Sequence, residues 1–121
     1  MRKGFSFIEL IVVVTIIAIL SVAGVISYGV ANKKSRDSRR ISDLEKMRMA
    51  LEMVRQVGVT YPNNSSILSP TYLQAIPRDP KTGGTYSYAQ TNSGYGYTIN
   101  AILEDPSSSG TGSTAYQVTN P

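Results

Sequence analysis

The chain carries three successive patterns of apolar and polar positions. Leu10 to Ala31 is a run of 22 residues without a charge. Beyond Asn32, apolar residues recur at Ile41, Leu44, Met47, Leu51 and Val54, the three-or-four spacing of one helix face. From Gly58 onward, short alternating stretches are separated by Gly, Pro, Ser, Thr and Asn. As a helix the first run is about 33 Å long at ~1.5 Å per residue, enough for a hydrocarbon core of about 30 Å. Twelve of its residues are β-branched, which favours strand in water. Buried strands run only about 4–8 residues, however, and a lone segment in lipid satisfies its own backbone only as a helix. No proline precedes Pro62, and Gly58 is the first plausible C-terminal stop. The pattern predicts one helix from about Phe5 to about Val57, roughly 80 Å long, with a transmembrane segment at about 10–31.

The second half of that helix offers one apolar stripe. Charges stand between its apolar positions at pairing distance, as Lys33–Asp37, Arg39–Asp43 and Arg48–Glu52. Each such pair is worth about 0.2–0.5 kcal/mol. Residues 58–121 read as a small β-rich head. Tyr61–Pro70 reads as a loop, and Thr71–Ala75 as a helical turn stopped by Pro77 and Pro80. Thr85–Gln90 and Tyr95–Ala101 alternate as strands around a hairpin turn at Thr91–Gly94. Ser107–Thr114 reads as a flexible loop and Ala115–Thr119 as a last strand. Tyr86 and Tyr88 share one face, and Tyr95, Tyr97, Ile99 and Ala101 share another; both faces are expected on the helix. Ser, Thr, Asn and Gly supply 30 of these 64 residues, and so small a piece buries only around 60% of its unfolded surface. It is expected to complete its core on the Ile41–Val54 stripe. The fold class expected is α+β: a long N-terminal helix with a small antiparallel sheet packed on its C-terminal half.

Composition narrows the chemistry. The 121 residues carry 12 Lys and Arg against 8 Asp and Glu, a net charge of +4, with no Cys, His or Trp. That excludes disulfides, thiolate zinc sites, cysteine nucleophiles and a Ser-His-Asp triad. No enzyme, cofactor or metal site is expected. Asp79, Glu104 and Asp105 are scattered carboxylates, a thin basis for calcium. Gly83-Gly84 lacks the Lys-Ser/Thr of a phosphate loop. Seven of eight tyrosines lie in the head; they read as sheet-face residues in preference to a stacking platform for sugars or bases. The basic run Lys33–Arg40 reads as a solvated collar near the headgroups that pairs with carboxylates of neighbours. Contact with nucleic acid is possible but unsupported.

Glu9 breaks the first pattern. An ionisable group in a membrane segment costs on the order of 2.5–3.5 kcal/mol on insertion scales. Two readings are open and compatible. Ser6-Phe7-Ile8-Glu9 fits the S-x-x-E capping box, and the charge suits the positive end of the helix dipole. Alternatively, cleavage after Gly4 would expose the α-amine of Phe5, with a pKa near ~8, as a partner.

Lys3-Gly4-Phe5-Ser6-Phe7-Ile8-Glu9-Leu10 at the head of a long apolar helix resembles the class III signal of type IV prepilins and pseudopilins. The resemblance implies a leader, residues 1–4, removed after Gly4 by a membrane-embedded aspartyl peptidase that also N-methylates Phe5. It implies that Glu9 neutralises the N-terminus of a neighbouring subunit during filament assembly. Asp43–Glu52 followed by Tyr61-Pro62 looks like the post-membrane helix and loop of major pseudopilins and short pilins. Tyr72–Pro80 resembles the segment before the sheet in major pseudopilins of type II secretion. The implied function is a structural subunit of a type IV pilus, for adhesion, twitching motility or DNA uptake; the alternative is a major pseudopilin. The implied partners are copies of itself, the cytoplasmic membrane, the prepilin peptidase/methylase, an assembly ATPase and a platform protein. The subunit would sit in the cytoplasmic membrane, then in a surface filament or periplasmic pseudopilus. Departures are Ile26 where many members have proline, Ala18 where Gly is common, the missing disulfide, and no recognisable calcium loop. Gly24, Ser27 and Gly29 are candidate weak points of the helix in place of that proline.

Two features pull the other way. Ser21-Val22-Ala23 fits an ordinary signal-peptidase site, which would release a soluble secreted domain starting at Gly24 and leave Glu9 without a role. Also, only Arg2 and Lys3 precede the apolar run, whereas Lys33, Lys34, Arg36, Arg39 and Arg40 follow it. The positive-inside rule would place that second group in the cytoplasm; the signal's resemblance places it outside.

Overall fold

A computed structural model describes residues 4–120, apart from the side chain of Ile26. Met1, Arg2 and Lys3 of the expected leader lie outside the described residues, as do Pro121 and the Ile26 side chain at the position of the family's proline. The chain forms two compact units, Met1–Asn32 and Lys33–Pro121. Helix α1, Phe7–Val57, contributes to both.

In the first unit, α1 begins two residues later than Phe5. Ser6 occupies the N-cap: its carbonyl accepts from Leu10 N at 3.2 Å. Every described side chain from Phe7 to Ala31 is exposed. The three hydroxyls of the run bond back to their own helix. Thr15, Ser21 and Ser27 donate to the carbonyls of Val12, Ile17 and Ala23 at 2.8, 2.7 and 3.2 Å. The segment therefore presents almost no unsatisfied polar group to an apolar medium. Gly24, Ser27 and Gly29 do not interrupt the helix.

The second unit is α+β. Its sheet is a three-stranded antiparallel meander of β1 (Ser87–Thr91), β2 (Gly96–Ile102) and β3 (Ala115–Asn120), in that order. The register puts Tyr88, Ile99 and Val118 in one row and Gln90, Tyr97 and Asn120 in the next. Alternation sends these residues, with Ala101 and Tyr116, to one face. That face and Tyr86 cover Leu44, Met47, Ala50 and Leu51 of α1, and Tyr61 and Leu68 fill the flank. Each fully buried Leu or Met contributes about 1.5–3 kcal/mol. The Tyr61 and Tyr97 rings meet edge to face, with centroids 4.7 Å apart.

The stripe is longer and more polar than its apolar positions indicate. Asp37 and Arg40 are as buried as Leu44, while Ile41 and Val54 are only partly covered. The expected i,i+4 pairs are replaced. Asp37 pairs with Arg40, Asp43 with Lys46, and Glu45 with Arg48, each three residues apart. Glu52 instead turns to the sheet. Asp37 and Glu52 lie against the head, whose donors outcompete the solvated lysine or arginine expected one turn away.

Three local expectations are corrected. The helical turn lies at Ser65–Leu68, inside the expected loop, and not at Thr71–Ala75. Asn64 caps it by accepting from Ser66 N at 3.0 Å, and Leu68 is its buried anchor. Thr85 stands outside β1, forming only an isolated bridge with Arg78. Tyr95 does not share the buried face with Tyr97. It has helical backbone angles (φ −91°, ψ −8°) where the turn closes, which breaks the alternation and leaves its ring 48% exposed. The hairpin connection itself uses Asn92 and Ser93 at φ 54° and Gly94 at φ 95°. A Cβ on Gly94 would stand 2.9 Å from Gln90 Nε2 and 3.0 Å from Thr60 Cβ. Its carbonyl accepts from Tyr61 N at 2.8 Å, so this glycine ties the hairpin to the α1–β1 connection.

Candidate processing and assembly site

The residues singled out by the signal cluster at the start of α1. Glu9 is the third residue of the helix, and its Oε2 accepts from Ser6 N at 3.0 Å. This is the carboxylate half of the capping box. It satisfies one of the orphan amides of the first turn and places negative charge at the dipole's positive end. In the single chain Glu9 is therefore a cap, and its side chain remains exposed. Phe5 is 87% exposed. Phe5, Ile8, Glu9, Val12 and Val13 line a shallow apolar cleft of about 310 Å³. A Cβ on Gly4 would meet nothing within 4 Å. Among the described residues, no packing demands glycine at that position.

The charges of the second unit are arranged quite differently. Arg40 is its hub: it reaches Asp37 at 2.7 Å, Asp79 at 2.5 Å and Glu104 at 3.1 Å. Arg36 makes a two-point contact with Glu104 at 2.6 and 2.8 Å, and Lys81 reaches Glu104 at 3.1 Å. Asp37 also accepts the backbone amides of Glu104 and Asp105. The network fastens two loops, at Asp79–Gly84 and Glu104–Asp105, to α1. It shifts titration in directions that follow from the contacts. The Arg40 guanidinium, against burial, holds the Asp79 carboxyl well below the usual carboxylate range, with help from the Thr82 and Lys81 amides. Arg36 does the same for Glu104, against partial desolvation and with Lys81 and Arg40 assisting. Burial pushes Asp37 up, but the amides of Glu104 and Asp105 and the Arg40 side chain together outweigh it, so its carboxyl is lowered.

A second polar cluster closes the other end of the head. Glu52 accepts from Tyr61 and Tyr97 hydroxyls at 3.1 and 3.3 Å and from Asn120 Nδ2 at 2.7 Å. Burial, then the Glu52 charge, raises Tyr97; burial pushes Tyr88 up to about 12. Tyr86 is raised by burial and by Asp43, to which its hydroxyl donates at 3.1 Å. The tyrosines are thus core and latch residues. Asp79, Glu104 and Asp105 do not converge on a shared cation position. The first two are spent on arginines and lysine, and Asp105 caps a 3-10 turn through Ser107. Nor is the whole basic run a collar for neighbouring carboxylates, since Arg36 and Arg40 pair within their own chain. Among the described residues, no buried side-chain nitrogen or oxygen lacks a partner.

The sequence reading missed Asp37, Arg40 and Glu52 as organising residues. For Asp37 and Arg40 the available signal was position: a charge on the same three-or-four spacing as Leu44, Met47 and Leu51 is a buried charge and requires a partner; Glu52 lies off that spacing.

A capped helix, long and apolar enough to cross a membrane and exposed along that run, ahead of a small α+β unit, fits the class of membrane-anchored proteins with a globular domain. Residues 1–25 match the family model described as the prokaryotic N-terminal methylation motif, the class III signal of type IV pilins and pseudopilins. The chain carries a pilin- or pseudopilin-like signal at its N-terminus. The match covers the signal and the first part of the apolar run and does not reach the head. No curated protein and no solved structure matches the chain.

Proposed function

We propose that the chain is the structural subunit of a type IV pilus. It is made as a prepilin with leader 1–4, cleaved after Gly4, N-methylated on Phe5, and polymerised from the cytoplasmic membrane by an assembly ATPase and a platform protein. The observation that carries the reading is Glu9, an acidic cap at the mouth of an apolar helix, exposed among the described residues. Gly4 supports it, because among the described residues nothing packs against that position, and a small residue suits a peptidase cleft. In a filament the segments Leu10–Ala31 of many copies bundle without water. Packing there is mainly van der Waals and favours many registers nearly equally. Glu9 of one copy paired with the Phe5 amine of the next selects one register, since a buried charge without its partner is strongly unfavourable.

Glu9→Ala and Glu9→Gln test this reading. Both variants insert, and both are cleaved, because the cut lies at Gly4–Phe5. Neither builds filaments by electron microscopy when it is the sole source of subunit. Normal processing with wild-type filament counts for both would leave Glu9 as a helix cap and nothing more.

A second reading, a major pseudopilin of type II secretion, rests on Ile76-Pro77-Arg78-Asp79-Pro80. There Asp79 bonds the amides of Lys81 and Thr82 and anchors its loop on Arg40. Deletion separates the two systems: loss of surface filaments supports the pilus, and periplasmic retention of secreted enzymes supports the pseudopilus.

A further inference from the structure

The charges of the second unit do not balance internally, and the surplus has a particular place. Every one of the seven carboxylates beyond the apolar run has a hydrogen-bond or ion-pair partner within the chain. Most of the cations beyond the run are likewise engaged. Arg36, Arg40, Lys46, Arg48 and Lys81 pair with carboxylates, and Arg55 and Arg78 donate to the carbonyls of Tyr95 and Gly83. Three remain: Lys33, Lys34 and Arg39 are exposed, and among the described residues their side chains have neither kind of partner. Lys34 and Lys33 lie close enough to Asp105 to lower its carboxyl slightly, after Ser107, but make no ion pair with it.

Their arrangement discriminates between partners. At 3.6 residues per turn, Lys33, Lys34 and Arg39 project at about 0°, 100° and 240° around α1. They girdle the helix and do not form a stripe. One face of a protein cannot meet all three, whereas a plane of anions pierced by the helix can. A second copy is also a poorer source of counter-charge, because five of its seven head carboxylates are already ion-paired and Glu52 and Asp105 are hydrogen-bonded within the head. Lys33 and Lys34 follow the last apolar residue, Ala31, by two and three positions, and Arg39 stands about 9 Å further along the axis than Lys33. Helical side chains lean toward the N-terminus, so the long Arg39 side chain reaches back toward the apolar end. A polar headgroup layer is about 5–7 Å deep on each side of the hydrocarbon.

We propose that Lys33, Lys34 and Arg39 form a collar that binds the phosphate groups of anionic lipids where the helix leaves the membrane. The proposal rests on the reading of Leu10–Ala31 as the membrane span. The collar sets the depth of the subunit before assembly, and its lipid contacts are surrendered when the subunit is extracted. Arg36 and Arg40, in the same basic run, are excluded from the collar because the head has already claimed them.

The test uses the full chain, moved from detergent into phosphatidylcholine vesicles or into vesicles where phosphatidylglycerol replaces about a third of that lipid. The wild type resists carbonate extraction from both and partitions into the anionic vesicles with a preference on the order of tenfold to a hundredfold, diminished by high salt. The triple variant Lys33→Gln, Lys34→Gln, Arg39→Gln inserts equally into the neutral vesicles and loses that preference. Lys46→Gln with Arg48→Gln, which removes charges of similar exposure already paired within the chain, keeps it. Three results with the variants overturn the proposal: an unchanged preference in the triple variant, an equal loss in the paired-charge control, or loss of self-association in neutral vesicles by the triple variant alone, which would assign the collar to a second copy. Failure of the wild type to enter neutral vesicles would overturn the membrane span as well; correct insertion without lipid preference overturns the collar alone.

Discussion

Ile17 and Leu51 are aliphatic residues of one helix, yet Ile17 is 57% exposed and Leu51 is 0% exposed. The same contrast separates the whole first unit from the second. In residues 33–120 each apolar side chain of the stripe finds a tyrosine, a leucine or a sheet residue, and each buried charge finds its counter-charge. In residues 7–31 large apolar side chains surround the helix on all sides, and among the described residues nothing covers them. Soluble proteins rarely leave so large an apolar surface open. The comparison teaches that the head closes its own core, while the apolar segment calls for a medium that the described residues do not supply; under the proposed function that medium is first lipid and then copies of the chain.

The largest expected effects come from placing one charge in each region. Leu51→Asp buries an unpaired carboxylate under the sheet and should cost on the order of 3–5 kcal/mol. A fragment from Lys33 onward should be folded, monomeric and soluble, and the substitution should abolish its cooperative thermal unfolding by circular dichroism. Ile17→Asp should leave head unfolding in the full chain unaltered and instead impair membrane insertion, by roughly 2.5–3.5 kcal/mol on insertion scales. If the two variants behaved alike, the division into a self-sufficient head and a dependent segment would be wrong.

Next comes the ionic hub. Arg40→Leu leaves Asp37, which is 0% exposed, without its guanidinium, and removes the anchor of Asp79. Breaking a buried pair from one side typically costs about 3 kcal/mol or more. Urea titration of the fragment measures it. A cost near that of an exposed pair, below about 1 kcal/mol, would show that the network does not hold the loops to the helix.

Glycines sharpen the contrast further. Gly94→Ala forces a Cβ onto a left-handed backbone and against Gln90 and Thr60, and should cost about 1–3 kcal/mol in thermal unfolding. Gly29→Ala meets open space and should leave the head's unfolding unchanged.

The smallest effect is the pH dependence of the head. Asp37, Asp79, Glu104 and Asp105 all have carboxyls lowered in the folded state. Their stabilisation is fully present above their unfolded values, near 3.8 for Asp and 4.5 for Glu, and is lost as pH falls through the lower folded values. Tyr86, Tyr88 and Tyr97 are raised. Their contribution is complete below pH 10 and is lost as pH rises through the folded values, about 12 for Tyr88. Urea midpoints of the fragment should therefore be flat from about pH 5 to 9 and decline on both sides. A decline across neutral pH would contradict these assignments.

Much of this was legible in the chain because the signals are local. The spacing of Leu44, Met47 and Leu51 announces a helix face, and the alternation around Tyr97 and Ile99 announces a strand. Ser6-x-x-Glu9 announces a cap, which the bond from Ser6 N to Glu9 bears out, and the same short stretch carries the methylation motif. What was not legible depends on distant residues. Asp37 looked like a partner for Lys33, but its amide donors at Glu104 and Asp105 lie 67 and 68 positions away. Glu52 looked like a partner for Arg48, but Asn120 and two tyrosines claim it. Tyr95 has the right spacing for the buried face, yet the left-handed turn before it resets the alternation. Local spacing reports which partners are within reach; only the closed fold decides which one is desolvated alongside the charge.

The most direct test of the account is the mass of the mature N-terminus. The protein isolated from its native membrane or filament, digested and analysed by mass spectrometry, should begin at Phe5 and carry one methyl group on its α-amine. Substitution of Gly4 by a bulky residue should leave the full-length precursor in the membrane. A mature protein beginning at Gly24 would contradict the account, because the apolar segment would then be a discarded signal peptide and Glu9 would have no filament to enter.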